Sequence, residues 1–196
     1  IIITVPIVLG QLIVSSFAAF AFSKLRFPLR DKIFFLYIIV MMMPFQVTLL
    51  PQYMVSIQLN TYDSLLSLIL PGIFSPFAVF LLVQTIKTIS NDIIEYAQLE
   101  TSSALTILLY IIIPNIKPGI ICTGILVFCE QWNLVAEPLV LIESFENFPF
   151  AVIINNINAA DVALFAGTVF FMVIPLLLFA RFNNEVMDGL QSYKLK

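Results

Sequence analysis

Long stretches without a charged residue are the feature that most constrains this chain. No charge occurs from Ile1 to Ser23, from Ile33 to Tyr62 or from Ser64 to Ile86. Each stretch is long enough for a membrane-spanning helix, which needs about 20 mostly apolar residues. With 61% hydrophobic and 11% charged residues and a mean hydropathy of +1.05, the chain carries more apolar side chains than a soluble core of its size can bury. The sequence therefore predicts an all-α membrane protein, a polytopic helical bundle.

The charged and polar residues divide the chain into five predicted spans. The thirty uncharged residues that start at Ile33 are too many for one span, and Pro51 with the polar residues after it favours a loop or an interfacial helix as far as Asp63. Pro175 is tolerated inside the last span because neighbouring helices can satisfy the backbone groups that it frees. The predicted spans cover residues 1–23, 33–50, 64–86, 118–132 and 162–180.

The nine Lys and Arg residues predict the orientation of these spans. Four lie within residues 24–32, two within 87–117 and three within 181–196, whereas the loops at 51–63 and 133–161 have none. Because cytoplasmic loops are enriched in Lys and Arg, we expect the first three segments, including the C-terminus, to be cytoplasmic. Five spans that end inside must begin outside. A cytoplasmic N-terminus would need one further span upstream of Ile1, in agreement with a chain that starts inside an apolar run.

Composition excludes several classes of chemistry. The chain has no His, which removes His-dependent nucleophiles, HExxH zinc sites and His-ligated haem, so no catalytic or metal-binding residue is predicted. A net charge of −3 without a basic block argues against nucleic-acid binding. Cys122 and Cys129 would lie about 10 Å apart along a helix, which is too far for a disulfide. We expect both to pack as small apolar side chains.

Residues 91–118 predict two short helices that meet at a polar corner. Asp92 is suited to cap the first helix, with Glu95 at its third position as in a capping box, and this helix is expected to end near Glu100. The Thr-Ser-Ser sequence that follows predicts a break and a second cap, after which a second helix stops at Pro114. A plain connection needs only about 2–8 residues, so we interpret the corner as a functional element.

The order and spacing of several motifs resemble those of one protein family. Around the corner stand Glu95-Tyr96-Ala97, then Thr101, then Ile112-Ile113-Pro114; further matches are residues 22–30, 42–51 and 59–71, and Gln131-Trp132-Asn133. Together they resemble the permease subunit of binding-protein-dependent ABC importers, in particular the maltose-type sugar-transport branch. The resemblance implies one transmembrane domain over residues 1–196, from a six-span subunit whose first span would be absent from this sequence.

Two positions depart from the signature of that family. Tyr96 replaces its middle Ala, and Thr101 replaces a Gly whose left-handed backbone a Thr resists. Either the corner is built differently in this chain, or the coupling that it serves is modified. At the C-terminus, Gly189-Leu190 alone matches the Gly-rich end of the family.

The resemblance implies that residues 87–117 form a coupling loop. A short helix at Glu95–Glu100 would lie in a groove of a partner ATPase, with Ala97 small enough for close docking. The implied coupling residues are Glu95, Tyr96, Ala97, Glu100, Thr101 and Pro114. The implied partners are a second permease subunit, two ATP-binding cassette subunits, an extracellular solute-binding protein and the lipid of a bacterial-type inner cell membrane.

The expected activity is transport rather than catalysis. The chain has no GxxxxGK[ST] phosphate loop, so it is expected to be a non-enzymatic transport subunit without a cofactor of its own. The resemblance implies that ATP and Mg are bound by the partner subunits.

Four polar residues are candidates to line the translocation path. Gln46 either lines the path or bonds a neighbouring helix. Glu130 is an acid inside an apolar span, where such residues are usually functional; alternatively, it sits at the outer helix end beside Trp132, an interfacial anchor. Gln131 and Asn133 would join Glu130 in hydrogen-bonding a polyol.

These features predict a permease that imports a sugar or an oligosaccharide. The same machine carrying a peptide, an amino acid or a phosphodiester is an alternative, because much of the substrate choice resides in the binding protein. A membrane enzyme is disfavoured by the absence of His and of a paired intramembrane Asp or Ser-Lys set. A passive channel would not need the long cytoplasmic corner.

Overall fold

The computed structural model describes residues 1–101, 103–156 and 162–192, and within these ranges the chain is built from helices without a β-strand. The first half contains α1 (Thr4–Lys24), α2 (Arg30–Met41), α3 (Phe45–Gln58), α4 (Leu66–Ile73), α5 (Pro76–Lys87) and α6 (Asn91–Glu100). The second half contains α7 (Ala104–Ile107), a π-helical turn (Leu108–Ile112), α8 (Ile113–Asn115), α9 (Lys117–Trp132), α10 (Ala136–Leu141), a 3-10 turn (Phe145–Asn147), α11 (Phe150–Asn156), α12 (Val162–Arg181) and α13 (Asn183–Ser192). The predicted all-α architecture is confirmed.

Two helical units of the described chain are long and apolar enough to cross a membrane. They are α1 and the unit formed by α4 and α5, which runs from Leu66 to Lys87. Three further helix pairs qualify if the two bent members of each pair count as one span, which brings the number to five. The predicted spans at residues 1–23, 64–86, 118–132 and 162–180 correspond to α1, α4–α5, α9 and α12.

The predicted span at residues 33–50 is not one continuous helix, because the chain turns by 98° between α2 and α3. α2 ends at Met41 and α3 begins at Phe45, and Pro44 between them has a ψ of 132°, far from helical values. Proline has no N–H with which to continue α2, and it disfavours a helical backbone in the residue before it. Gln46 therefore lies, exposed, in the first turn of α3 rather than in the middle of a span.

The centre of the bundle is formed by α1, α5 and α9. α1 and the α4–α5 unit run in the same direction, since Ile7 meets Gly72 near the start of both and Lys24 meets Ile89 near their ends. α9 runs the opposite way, because Gly119 near its start lies beside Thr85 near the end of α5, whereas Gly124 further along lies beside Leu12 in the first half of α1. The most deeply buried large side chains lie between these helices or beside the corner, among them Ile7, Leu82, Ile86, Leu108 and Ile112.

Glycines allow these helices to approach closely. A Cβ atom on Gly119 would overlap the side chain of Thr85, and one on Gly10 would lie 2.7 Å from Cγ1 of Ile73. Helices in membranes associate through such small residues because lipid provides no hydrophobic driving force between them. The packing of α9 on α5 therefore depends on the absence of a side chain at Gly119.

Cationic side chains gather at one end of the bundle, which we call the basic end. Lys24, at the end of α1, donates hydrogen bonds to the Ile89 carbonyl (2.6 Å) and to Oδ1 of Asn91 (2.9 Å). Lys87, at the end of α5, places its Nζ 5.5 Å from the ring centroid of Phe34 at the start of α2. The two cations thus fasten the ends of α1, α2 and α5 to one another and to the start of α6.

At the opposite end, which we call the acidic end, Asp63 locks two loops together. Its Oδ1 accepts hydrogen bonds from the backbone N–H groups of Glu143 and Ser144 at 2.8 Å each, and its Oδ2 accepts one from the Ser144 hydroxyl at 2.5 Å. These bonds, led by that of the Ser144 hydroxyl, hold the pKa of Asp63 below its usual value, because they favour the ionised form. Tyr62 donates to the Glu143 carboxylate, which raises the pKa of Tyr62 to about 12.

The C-terminal helix α13 folds back onto α9. The chain bends by 69° after α12, and Val186 is buried against Cys122 and Ile125. A Cβ atom on Gly189 would overlap Cβ of Cys122 and lie 2.9 Å from the Pro118 carbonyl oxygen. Gly189 thus permits a close helix contact within the chain, and Cys122 packs as a small apolar side chain, as predicted.

Candidate functional site

The corner predicted from residues 91–118 is present, but its first helix has a different cap. α6 is capped by Ser90, whose hydroxyl accepts a hydrogen bond from the Asp92 N–H at 3.1 Å. Asp92 lies instead in the first turn, where a negative charge is favourable near the helix N-terminus. The predicted capping box of Asp92 and Glu95 is wrong because the helix already begins at Asn91, directly after the extended backbone of Ser90.

α6 has a buried face and an exposed face. Ile94 and Ala97 are buried in the same apolar cluster as residues of α1, α5 and the π-helical turn. Tyr96 is 74% exposed and Leu99 is 85% exposed. The exposed face comprises Asp92, Ile93, Glu95, Tyr96, Leu99 and Glu100. Ala97 therefore packs against this chain's own core, and the outward surface of α6 carries three acids together with the large apolar side chains of Ile93, Tyr96 and Leu99.

Lys24 fastens the start of α6 to α1. Its two hydrogen bonds reach the residues on either side of the Ser90 cap, so the helix start cannot move without the end of α1. Ile94 and Ala97 share their cluster with Ile86 of α5. In the sequence analysis Lys24 served only to predict the orientation of the spans. Its hydrogen-bond partners lie 65 and 67 residues away in the chain, so these bonds could not be predicted from the sequence.

The backbone at Thr101 shows that the corner is built without a left-handed residue. Thr101 has φ −145° and ψ 135°, an extended conformation that suits a β-branched side chain. Its Oγ1 accepts a hydrogen bond from the Ser103 N–H at 3.2 Å, and the Ser103 hydroxyl accepts one from the Thr106 N–H at 3.3 Å. The second cap predicted from the Thr-Ser-Ser sequence is thus confirmed at Ser103, and the corner is built differently from one that turns on a glycine.

The second helix of the corner runs past Pro114, its predicted end, and stops at Asn115. Before the proline the backbone widens into the π-helical turn, in which the N–H of Ile113 bonds to the Leu108 carbonyl. Such turns are frequent at functional sites. The chain then bends by 81° into α9. Pro114 therefore belongs to a joint that connects the corner to α9.

A cavity of about 570 Å³ lies beside two interruptions of the helices. One is the break between α2 and α3, which contributes Met41, Met43 and Phe45, and the other is the break between α4 and α5, which contributes Phe74 and Ser75. Irregular backbone at membrane depth is tolerated only where it is buried in protein or lines a water-filled cavity. Because two such interruptions line this cavity, we take it as the candidate site.

Two of the four predicted path residues line this cavity, and two do not. Glu130 and Gln131, in the last turn of α9, belong to its wall. Asn133 instead donates its side-chain N–H to the Cys129 carbonyl at 2.7 Å and closes the end of α9. Gln46 is exposed on α3 outside the lining.

Trp132, predicted as an interfacial anchor, lies between α9 and α12. Its ring stacks on Phe128 and Phe171 with centroids 5.2 Å and 5.1 Å away. Its Nε1–H donates to the Phe171 carbonyl at 3.1 Å. The side chain thus holds the two helices together at the level where Glu130 and Gln131 face the cavity.

Four polar residues of the lining were not among the predicted path residues, namely Thr48, Gln52, Ser75 and Glu137. Thr48 and Gln52 lie four residues apart on α3, and Glu137 lies in the first turn of α10. The four-residue spacing of Thr48 and Gln52 places both on one helix face. Had residues 45–58 been predicted as a helix, this spacing would have identified both as candidates. Glu137 gives no local signal, because it reaches the cavity only through the turn that follows α9.

The cavity offers amide, hydroxyl and carboxylate groups between aromatic rings. This combination suits a hydroxylated solute, because few polar groups fix its hydroxyls while apolar walls cover the rest. In the part of the chain that the structure describes, no group of three or more Cys, Asp or Glu residues is arranged to hold a metal ion.

Known transport proteins are similar to this chain in sequence. The arabinooligosaccharides transport system permease protein AraQ of Halalkalibacterium halodurans is 28% identical over 193 residues, which cover 96% of this chain and 69% of that protein. The sn-glycerol-3-phosphate transport system permease protein UgpE of Rhizobium meliloti is 30% identical over 140 residues, which cover 71% of this chain and 50% of that protein.

One solved structure has the same fold. The crystal structure of a bacterial ABC transporter involved in the import of the acidic polysaccharide alginate aligns with a TM-score of 0.78 at 22% identity, over 93% of this chain and 70% of that chain. The chain thus spans between 50% and 70% of the lengths of these three proteins.

The family assignment rests on most of the sequence. Residues 11–185 match the family described as binding-protein-dependent transport system inner membrane component. The match includes the corner, both helix interruptions and the cavity residues. With its broken membrane helices and its capped corner, the chain belongs to this family of inner membrane transport components.

Proposed function

We propose that this chain is a permease subunit of an ATP-driven importer that moves a sugar or an oligosaccharide across the membrane. The observation that carries the proposal is the exposed face of α6. Scattered exposed apolar residues are ordinary, but Tyr96 and Leu99 lie three residues apart on a helix whose opposite face is buried. A helix whose buried face is packed on the core and whose exposed face carries large apolar side chains is suited to bind a partner protein.

The partner that we propose for this face is an ATP-binding subunit. A second permease subunit would pair with this chain, each contacting one ATPase, and an extracellular binding protein would deliver the solute. The acids of the exposed face favour a partner groove with basic residues, because complementary charge steers and orients association. ATP and Mg would be bound by the ATPase pair.

The packing of α6 supports a lever mechanism. When the ATPase pair closes, α6 would be displaced, and Lys24 would transmit the displacement to α1 while the shared apolar cluster would transmit it to α5. The joint at Pro114 would pass it to α9, which carries Glu130 and Gln131 at its other end. Rigid-body rocking of such helices alternately opens a central site to either side of a membrane.

The distribution of charge supports a cytoplasmic position for the basic end, in a bacterial-type inner cell membrane. Positively charged loops are retained in the cytoplasm, and the exposed face of α6 lies at this end, where ATP is available. The C-terminus would be cytoplasmic as well. Its two lysines, Lys194 and Lys196, lie outside the described residues.

The cavity supports a hydroxyl-rich solute. Arabinooligosaccharides, alginate and sn-glycerol-3-phosphate, which appear in the names of similar proteins, all carry more than one hydroxyl group. Gln52 and Gln131 can donate and accept hydrogen bonds with such groups, as can the Thr48 hydroxyl. We therefore propose that the path passes this cavity and that Glu130 and Gln131 belong to it.

Co-purification tests the partner assignment. The tagged chain, extracted in mild detergent from its native host, is expected to bring down an ATPase and a second permease. Leu99→Asp should remove the ATPase but keep the second permease, because only the exposed face is altered. Phe145→Asp is the matched control, since Phe145 is also exposed (70%) but lies at the acidic end. Failure of the unmodified chain to bring down an ATPase would refute the proposal.

Reversing a charge on the exposed face tests coupling. Glu95→Lys is expected to lower solute uptake about tenfold or more, since like-charge contacts at an interface cost several kcal/mol, while ATP hydrolysis and thermal stability are retained. Glu146→Lys, which alters an exposed acid at the acidic end, is expected to leave uptake unchanged. Normal uptake in the Glu95→Lys variant would rule out a coupling contact at this residue.

A further inference from the structure

The cavity is lined by acidic but not by basic side chains, which bears on the charge of the solutes that can pass it. Its wall contains two carboxylates, those of Glu130 and Glu137, and none of the residues that line it is Lys or Arg. We propose that the cavity admits neutral or cationic saccharides and rejects acidic or phosphorylated ones. The inference rests on the proposed function, because it assigns the charge of the solute that this permease moves.

Both carboxylates line the same cavity, from neighbouring parts of the chain. Glu130 lies in the last turn of α9, and Glu137 lies in the first turn of α10, with only the short turn after Trp132 between the helices. Two acids from successive helices therefore face the same space.

No cation of the described chain neutralises this pair. Among the described residues the ion pair that forms is Arg30 with Asp31, outside the cavity. The described cations near the bundle ends, such as Lys24 and Lys87, are bonded at the basic end. A cleft with low-dielectric walls and charge of one sign focuses its field on the solute, so an anionic solute would be repelled where a neutral one is not.

The remaining lining fits the uncharged parts of a saccharide. Gln52, Gln131 and Thr48 supply hydrogen bonds, and the rings of Phe45, Phe74 and Phe77 supply apolar surface. Sugar rings present hydroxyls at their edges and C–H groups on their faces, so this mixture suits both. A carboxylate or phosphate on the solute would find two amides and two hydroxyls but no cation to pair with.

The local charge can be measured with thiol reagents that do not depend on transport. Gln52→Cys would be made in a Cys122→Ala, Cys129→Ala background and assembled with its partners in membrane vesicles. Its reaction rates would be compared for trimethylammonium-ethyl, sulfonato-ethyl and methyl methanethiosulfonate, which are cationic, anionic and neutral. Gln46→Cys is the matched control, because Gln46 is exposed on the same helix but lies outside the cavity lining.

The cationic reagent is expected to be favoured over the anionic one about tenfold more at Gln52→Cys than at a free thiol, in line with the effect of a focused field in a cleft. Adding Glu130→Gln and Glu137→Gln should abolish this preference while the neutral reagent keeps its rate. Gln46→Cys should show no comparable preference.

Equal relative rates at Gln52→Cys and Gln46→Cys would overturn the inference. So would a preference that survives removal of both acids, or a lack of reaction with the neutral reagent, which would show that the cavity is closed. These outcomes leave the co-purification of the ATPase unaffected, so failure of the inference is distinguishable from failure of the proposed function.

Discussion

The corner and the cavity are both built where helices are interrupted, but different kinds of contact hold them. The corner is made of successive elements of one chain segment, with a Ser90 cap at its start and a Ser103 cap at its turn. The cavity is made of helices that are far apart in the chain, brought together by close packing. Local hydrogen bonds define the shape of the corner, whereas steric fit between distant helices defines the shape of the cavity.

The two regions are therefore sensitive to different kinds of substitution. A corner formed by caps and one lysine tether tolerates changes in the distant packing of the bundle. A cavity whose walls are placed by glycine contacts tolerates changes in charge and hydrogen bonding at the bundle ends. Substitutions that act on one kind of contact should therefore affect one region and spare the other.

The largest expected effect on stability comes from Gly119→Ala. The added Cβ would overlap the Thr85 side chain and force α9 away from α5, and overpacking of this kind costs about 1–3 kcal/mol. The thermal midpoint of the purified protein in detergent should fall, while the exchange protection of α6 amides should change little.

Gly167→Ala is the matched control for this substitution. The Cβ at Gly167 would lie 3.7 Å from the Phe150 ring, an ordinary contact, and alanine is favoured over glycine in helices by up to about 1 kcal/mol. Its midpoint should stay the same or rise. Equal destabilisation by the two alanines would contradict the view that close packing at Gly119 positions α9.

A smaller effect is expected from Lys24→Met, which keeps the apolar stem but removes the two hydrogen bonds to Ile89 and Asn91. Hydrogen bonds of this kind contribute about 1 kcal/mol each. The amides of α6 should exchange several-fold faster, whereas those of α9 should not change. Lys32→Met, at an exposed lysine of the same end, serves as control. Equal effects of both substitutions would show that the hydrogen bonds of Lys24 do not hold the start of α6.

The smallest and most local effect is expected at Asp63. The folded-state pKa of Asp63 lies below the usual 3.8. The hydrogen bonds of ionised Asp63 to Glu143 and Ser144 therefore contribute fully to stability above pH 3.8. This contribution is lost as the pH falls through the lower, folded-state pKa. Asp63→Asn should speed exchange of the Glu143 and Ser144 amides at neutral pH. Glu146→Gln should not, and unchanged exchange in Asp63→Asn would show that the loops are held by other contacts.

The corner was largely predictable because its signals are local. The Thr-Ser-Ser sequence predicted the second cap, and proline marked the region of the joint before α9. The first cap was assigned to Asp92 rather than Ser90 because both residue types are suitable and only the backbone decides between them. The burial of Ala97 was not predicted, since its size is compatible with either a partner or the chain's own core.

The cavity was only partly predictable. Glu130 and Gln131 were identified because polar residues are rare in an apolar span. Thr48 and Gln52 were missed because the bend at Pro44 was not predicted, so the helix after it was not recognised as one face of a cavity. Glu137 was missed because it reaches the cavity only through the turn that follows α9. Asn133 has the right residue type for the path, but its side chain bonds to the backbone of its own helix.

By itself, the sequence determined that this chain is helical, which stretches are apolar enough to cross a membrane, and where its cations cluster. These properties depend on the order of polar and apolar residues and on charge, which can be read along the chain. The tertiary structure alone decided which acids share a cavity, which side of α6 faces outward and how Lys24 joins helices 65 residues apart. Such properties depend on which distant side chains fit together, and close packing is decided by shape in three dimensions rather than by order in the chain.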